Sequence, residues 1–134
     1  MKQASQIILF QFPQTDLAQG KLRPALLLGK LPGEYDDWLI CMISSQIRHC
    51  IPDFDELIQT TDDDFAESGL KLTSVIRVGR LAVVEGEMLL GAIGQIAPER
   101  LQRIKRHLAE WLKSSQQKSK YPERDENSTS MRPC

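Results

Sequence analysis

Met88-Leu89-Leu90-Gly91-Ala92-Ile93-Gly94-Gln95-Ile96-Ala97-Pro98-Glu99-Arg100-Leu101-Gln102-Arg103-Ile104 is where the chain changes its period. Up to Ile96 the stretch is short and apolar, and Gly91 and Gly94 inside it read as a bulge or sharp bend in a strand. From Pro98 the apolar residues fall at Leu101, Ile104, Leu108, Trp111 and Leu112, a spacing of three and four that makes one stripe on a helix. Pro98 suits the first helical position, and Glu99 suits the first turn. A helix is expected over Pro98 to Leu112, with Arg100, Arg103, Lys105 and Arg106 on its polar side.

Everything upstream reads differently. Ile7 to Phe12, Ala25 to Leu28 and Trp38 to Ile43 are short, bulky apolar runs. Pro13, Gly29, Pro32 and Gly33 punctuate the segments between them, the pattern of strands joined by turns. Further strands are expected at Ser74 to Val78 and Leu81 to Val84, with Gly79-Arg80 as the turn between them. A short edge strand is expected near Leu57. No strand–helix–strand alternation is present, so the fold class is mainly β with a C-terminal α-helix: a small antiparallel β-barrel or sandwich with the helix packed against it. Residues 1–113 are expected to form this domain and 114–134, poor in apolar residues, a disordered tail.

The 134 residues suit one domain, and no apolar run reaches the length of a membrane span. Met1 to Phe10 lacks the long apolar core of a signal peptide, so a cytoplasmic location is expected and no membrane partner. Cys41, Cys50 and Cys134 form no CxxC pair, which reads as reduced thiols without a disulfide framework or zinc site.

Lys and Arg number 17 against 18 Asp and Glu, which argues against a nucleic-acid partner held by bulk charge. The balance is uneven along the chain. Asp53, Asp55, Glu56, Asp62, Asp63, Asp64 and Glu67 crowd one segment without a Lys or Arg, which reads as a solvated acidic loop. Arg23, Arg77, Arg80 and the helical arginines lie elsewhere, leaving room for a local phosphate site.

Three places set polar side chains at the ends of apolar strands. Lys21-Leu22-Arg23-Pro24 puts a guanidinium beside a proline that favours an extended backbone, and its planar fork suits a phosphate. Ser44-Ser45-Gln46 offers hydroxyl and amide groups that bond phosphate oxygens or cap a turn. Arg77 and Arg80 stand three apart in what reads as a hairpin. Other templates fail: Gly-x-Ser-x-Gly, His-Glu-x-x-His and the P-loop pattern do not occur.

In register, these pieces resemble the MazF/PemK family, toxins of type II toxin–antitoxin systems. The matching segments are Gln6 to Asp16, Gly20 to Leu28, Ile40 to Gln46, Leu72 to Leu81 and Ile93 to Ile96, followed by the helix. The resemblance implies an SH3-like barrel, a homodimer, a cognate antitoxin protein as partner, and a sequence-selective endoribonuclease acting on single-stranded RNA without metal or cofactor. It places catalysis on Arg23 and Ser44, and RNA contacts on Thr15, Lys21, Ser45, Gln46, Arg77 and Arg80. The implied reaction is attack of the ribose 2′-OH on the neighbouring phosphorus, leaving a 2′,3′-cyclic phosphate and a 5′-OH. Three departures stand out: Ser5-Gln6 replaces the usual Gly-Asp, Ala18 stands where some members carry glutamate, and Ser44 replaces the commoner threonine. The competing reading is a degenerate toxin, a barrel that binds nucleic acid or protein without cutting.

Overall fold

In the computed structural model, residues 2–11 and 22–114 are described. The strands are β1 (Gln6–Gln11), β2 (Leu22–Lys30), β3 (Asp37–Ser44), β4 (Glu56–Ile58), β5 (Ser74–Glu85) and β6 (Leu89–Gln95). Helix α1 is a single turn at Phe65–Ser68, and α2 spans Pro98–Lys113. All pairings are antiparallel, in the order β4-β5-β3-β2-β1-β6. Among the described residues no helix is long and apolar enough to cross a membrane.

Both faces of the sheet are buried, which is why its strands read as continuous apolar runs and not as an alternation. On one face Ile7, Leu26, Leu28, Cys41, Ile43, Ile76 and Val78 pack with Leu101 and Ile104 of α2. The other face gathers Ile8, Phe10, Ala25, Leu27, Trp38, Ile40, Val84 and Leu89, all from strands, so the sheet packs that cluster by curling on itself. Its end strands, β4 and β6, are not joined by a ladder. Backbone crossing takes the place of one: a Cβ added at Gly94 would collide with the main chain of Glu67 and Ser68, and one at Gly69 with the carbonyl of Ile93. Gly69 ends α1 in the left-handed region at φ 76°, which a side chain would strain. The expected barrel is thus present in partly open form.

The hairpin expected at Ser74 to Val84 is instead one strand of 12 residues. Its register against β3 jumps from Cys41 opposite Leu81 to Met42 opposite Arg77, so Val78, Gly79 and Arg80 form a bulge. Gly79-Arg80 looks like a turn in sequence because glycine marks bulges and turns alike. What keeps the strand whole is distant. The Val78 N–H, taken out of the ladder, donates to Asp55 Oδ1 at 2.9 Å, and Asp55 Oδ2 accepts from the Ile51 N–H at 2.9 Å.

Helix α2 matches its expected span to within a residue. Its stripe is buried only at Leu101 and Ile104, whereas Trp111 and Leu112 are exposed. Trp111 rests edge-on against Phe54, with ring centroids 6.5 Å apart. Cys41 is a buried free thiol, but Cys50 is disulfide-bonded, a pairing that the cysteine spacing did not signal.

Candidate active site

Strands β2 and β3 pair with Ala25 opposite Met42, and the same register carried outward sets Arg23 opposite Ser44. Directly opposed residues stand about 5 Å apart at Cβ, and cross-strand partners share a face. Phe10 opposite Arg23 on β1 and Val75 opposite Ser44 on β5 complete this row. An arginine and a serine 21 positions apart in the chain are thus brought side by side at the mouth of the sheet.

They line a cavity of about 330 Å³. Ser45 and Gln46 extend the β3 side, while Leu70, Lys71, Leu72 and Ser74 form the facing wall. The Gln46 N–H donates to Ser44 Oγ at 3.0 Å. Because the hydroxyl is the acceptor there, its own proton is left to donate into the cavity. Arg23 is exposed, and among the described residues its guanidinium enters no ion pair. Among the described residues no acid lines the cavity, and the two charged residues that do, Arg23 and Lys71, are both cations. The Leu70–Leu72 wall carried no sequence signal that singled it out.

The remaining expected RNA contacts divide. Ser45 and Gln46 line the cavity. Arg77 lies on β5 opposite Met42, two residue pairs inward from Ser44, with its Nε buried and without a hydrogen-bond partner among the described residues; it does not line the cavity. Arg80 is exposed in the β5 bulge, also away from the cavity lining. Thr15 and Lys21 lie outside the described residues, as does Ala18.

The acidic segment is not a solvated loop. Asp55, Glu56 and Asp64 are buried, and so is Arg100 of α2 at 7% exposure. All five donors of the Arg100 guanidinium are satisfied. Nε and Nη2 bond the two Asp64 oxygens at 2.9 Å, Nη1 bonds Glu56 Oε1 and the Leu57 carbonyl at 3.0 Å, and Nη2 also bonds Asp62 Oδ2 at 3.0 Å. Arg103 adds two bonds to Glu56, at 3.0 and 3.1 Å. Burial works to raise the Asp64 pKa, but the hydrogen bonds from Arg100 and the Ala97 N–H outweigh it and hold the carboxyl below its ordinary value. Arg100 itself is pushed up, since Asp64 and Glu56 outweigh the burial that would lower it. Two of the helical arginines counted as available to phosphate are therefore already engaged. Asp53, Asp55, Glu56 and Asp62 line a separate cavity of about 460 Å³ beside α2 with Arg100, Arg103 and His107.

Nucleophilic chemistry at Cys41 is disfavoured. Burial, with a smaller contribution from the Asp55 charge, drives its thiol far above the usual range, so the thiolate is not populated. No group of at least three His, Cys, Asp or Glu side chains suited to a metal ion occurs among the described residues.

Residues 3–112 match the model of a family described as PemK-like, MazF-like toxin of type II toxin-antitoxin system. MazF from Deinococcus radiodurans is similar in structure, with a TM-score of 0.59 at 18% identity, over 83% of this chain and 96% of that one. In the MazE-MazF structure of the same organism the values are 0.61 and 18%, over 85% and 97%. A mycobacterial endoribonuclease solved in complex with its cognate antitoxin gives 0.58 at 16% identity, over 84% and 95%. None of the curated proteins matches the sequence.

Proposed function

The chain belongs to the PemK-like, MazF-like toxin family of type II toxin–antitoxin systems, and on that premise we propose that it is an endoribonuclease cutting single-stranded RNA by 2′-OH attack. One observation carries the reading: Arg23 of β2 and Ser44 of the neighbouring β3 line one cavity whose described charged residues are cations. In this reaction the ribose 2′-oxygen bonds to phosphorus as the bond to the 5′-oxygen breaks, giving a 2′,3′-cyclic phosphate and a 5′-OH. The nucleophile exists only in RNA, which separates RNA from DNA independently of base reading.

A guanidinium is a donor with no acceptor atom, so the work of Arg23 is to stabilise charge on the phosphorane oxygens. Ser44 donates its hydroxyl proton to the same phosphate or orients the 2′-OH. Ser45 and Gln46 contact the RNA beside them, and Arg77 and Arg80, with Thr15 and Lys21, contact flanking nucleotides. The reading carries no metal or cofactor, a cytoplasmic setting, and an antitoxin as protein partner. Exposed Leu81, Val83, Leu90, Trp111 and Leu112 support a symmetric homodimer, since an isolated domain rarely leaves that much apolar surface in water.

The test is incubation of purified protein with a long RNA in EDTA, followed by mapping of the ends. Discrete cuts with 5′-OH termini, lost in Arg23→Ala, are expected. Intact RNA, or cutting unchanged in Arg23→Ala, overturns the reading; salt-sensitive RNA binding without new ends points to the non-catalytic barrel.

A further inference from the structure

The wall facing Arg23 and Ser44 is built, not merely adjacent. Ser68 Oγ donates to the Phe65 carbonyl at 2.6 Å and accepts from the Leu70 N–H at 3.0 Å. Gly69 is pressed against the Ile93 backbone, and the Ser74 hydroxyl donates to the Leu72 carbonyl at 2.8 Å. Anchors on both sides thus hold the backbone of Leu70-Lys71-Leu72. Lys71 itself is exposed, and among the described residues its ammonium enters no ion pair or side-chain hydrogen bond. Apart from Arg23, the other arginines described above are either engaged by acids, as Arg100 and Arg103 are, or outside this cavity, as Arg77 and Arg80 are.

An RNA strand carries a phosphate on each side of the one being cut, and a cavity of about 330 Å³ has room for more than a single phosphate group. Arg23, with its planar fork, suits the phosphate whose geometry must be controlled. Lys71, a compact charge on a flexible stem, suits a neighbour that needs only neutralising. Leu72 and Leu22 flank the cavity at 61% and 51% exposure and offer apolar contact to base faces between the two phosphates.

We propose that Lys71 binds the backbone phosphate adjoining the scissile one, with Leu72 as the apolar contact for the intervening nucleotide, so that the Leu70–Leu72 wall sets affinity while Arg23 and Ser44 set rate. The assignment rests on the ribonuclease reading for the word scissile, but the phosphate contact stands on charge and position alone.

The experiment measures binding of the intact protein to a fluorescent single-stranded RNA oligonucleotide whose riboses are 2′-deoxy-substituted, across a salt series. Cleavage of the matching all-ribose strand is followed in parallel. Wild type, Lys71→Ala, Lys71→Arg, Leu72→Ala and Arg23→Ala are compared, with thermal midpoints confirming the fold. Losing one phosphate contact on a single strand lowers the slope of log K against log salt by about 0.7. That decrease is expected in Lys71→Ala and not in Lys71→Arg. Lys71→Ala should also raise KM with kcat retained, and Leu72→Ala should weaken binding without changing the slope. An unchanged slope and affinity in Lys71→Ala overturns the proposal even where wild type cuts RNA normally. A Lys71-dependent slope in a protein that does not cut keeps the contact and overturns the ribonuclease reading alone. No binding by wild type, with the all-ribose strand also left uncut, overturns both.

Discussion

The Arg100 guanidinium closes on Asp64 through two hydrogen bonds, Nε to Oδ2 and Nη2 to Oδ1, each 2.9 Å, between residues 36 positions apart. Asp64 Oδ2 also accepts the Ala97 N–H at 2.9 Å, at the N-terminus of α2. A single carboxylate therefore caps the helix and grips its first turn, in place of the local serine or aspartate that helices commonly use. From Asp64 the chain runs through α1 and Gly69 into the Leu70–Leu72 wall, so the clasp that seats α2 also anchors one side of the cavity.

Breaking the clasp should cost more than any surface charge change. Arg100→Met leaves Asp64 buried without its cation and Glu56 with Arg103 alone, and a loss of about 3–5 kcal/mol in unfolding free energy is expected. Arg103 is nearly half exposed, with a side-chain exposure of 43%, so Arg103→Met should cost about 1 kcal/mol or less. Urea titrations of both variants check the ordering. Equal costs would mean that Arg100 is solvated in solution.

Acid should loosen the same clasp. The Asp64 pKa is lowered in the fold, so the unfolded chain takes up its proton first as pH falls. Its stabilisation is complete above the unfolded value of about 3.9 and is lost as pH drops towards the depressed folded value. Stability should fall below about pH 4, and Asp64→Asn should flatten that part of the profile. A chemical-denaturation series from pH 3 to 7 reads it. A slope identical to wild type would place the titrating group elsewhere.

Chemistry should fail at Ser44 without loss of the fold. Ser44→Ala removes a donor from the cavity, and rate losses on the order of 10²–10³ are expected for one such group. Ser44→Thr keeps the hydroxyl and should retain most of the activity. Single-turnover cleavage at saturating protein, beside circular dichroism, separates the two. Full activity in Ser44→Ala would remove the hydroxyl from the mechanism.

Three glycines should respond in opposite ways. Gly69→Ala must place a Cβ in the left-handed region and against Ile93, and Gly94→Ala must push β6 off the main chain of Glu67 and Ser68. The left-handed conformation alone costs about 1–2 kcal/mol, before any displacement. Gly91→Ala meets nothing within 4 Å and should stay within about 0.5 kcal/mol of wild type. Thermal melts of the set test whether the backbone crossing closes the sheet.

The tail should prove dispensable for catalysis. A chain ending at Ser114 keeps all of α2 and every described residue of the cavity, and Cys50→Ser in the full chain separates the loss of Cys134 from the loss of the tail. RNA cleavage within about twofold of the full chain is expected. A large loss would bring residues 115–134 into the domain.

Legibility followed the range of the interactions. β1, β2, β3 and α2 were readable because each is a local pattern, an apolar run or a stripe, bounded by its own turn residues or proline. β5 was misread because Gly79-Arg80 carries a turn signal, while the carboxylate that satisfies the Val78 N–H comes from Asp55, 23 positions earlier. The acidic segment was misread as solvated for the same reason: the nearest sign of its partner, Arg100, is 36 positions away on a helix whose polar face looked free. At the site, Arg23-Pro24 and Ser44 were legible as polar groups ending apolar strands. Lys71 was not, because it ends no strand and enters the cavity only when Gly69 presses α1 onto β6.

By itself the sequence determined the strand-rich class, the position of the one long helix, and which polar groups sit at strand ends, since hydrophobic period and backbone preference act over a few residues. Tertiary structure decided the rest. It brought Arg23 and Ser44 into one cavity, it turned Glu56 and Asp64 from charges expected to face solvent into the seat of α2, and it placed no described acid in the lining of the candidate cavity. The average charge near zero could not show that division, because desolvation and ion pairing depend on which side chains end up within about 3 Å of one another.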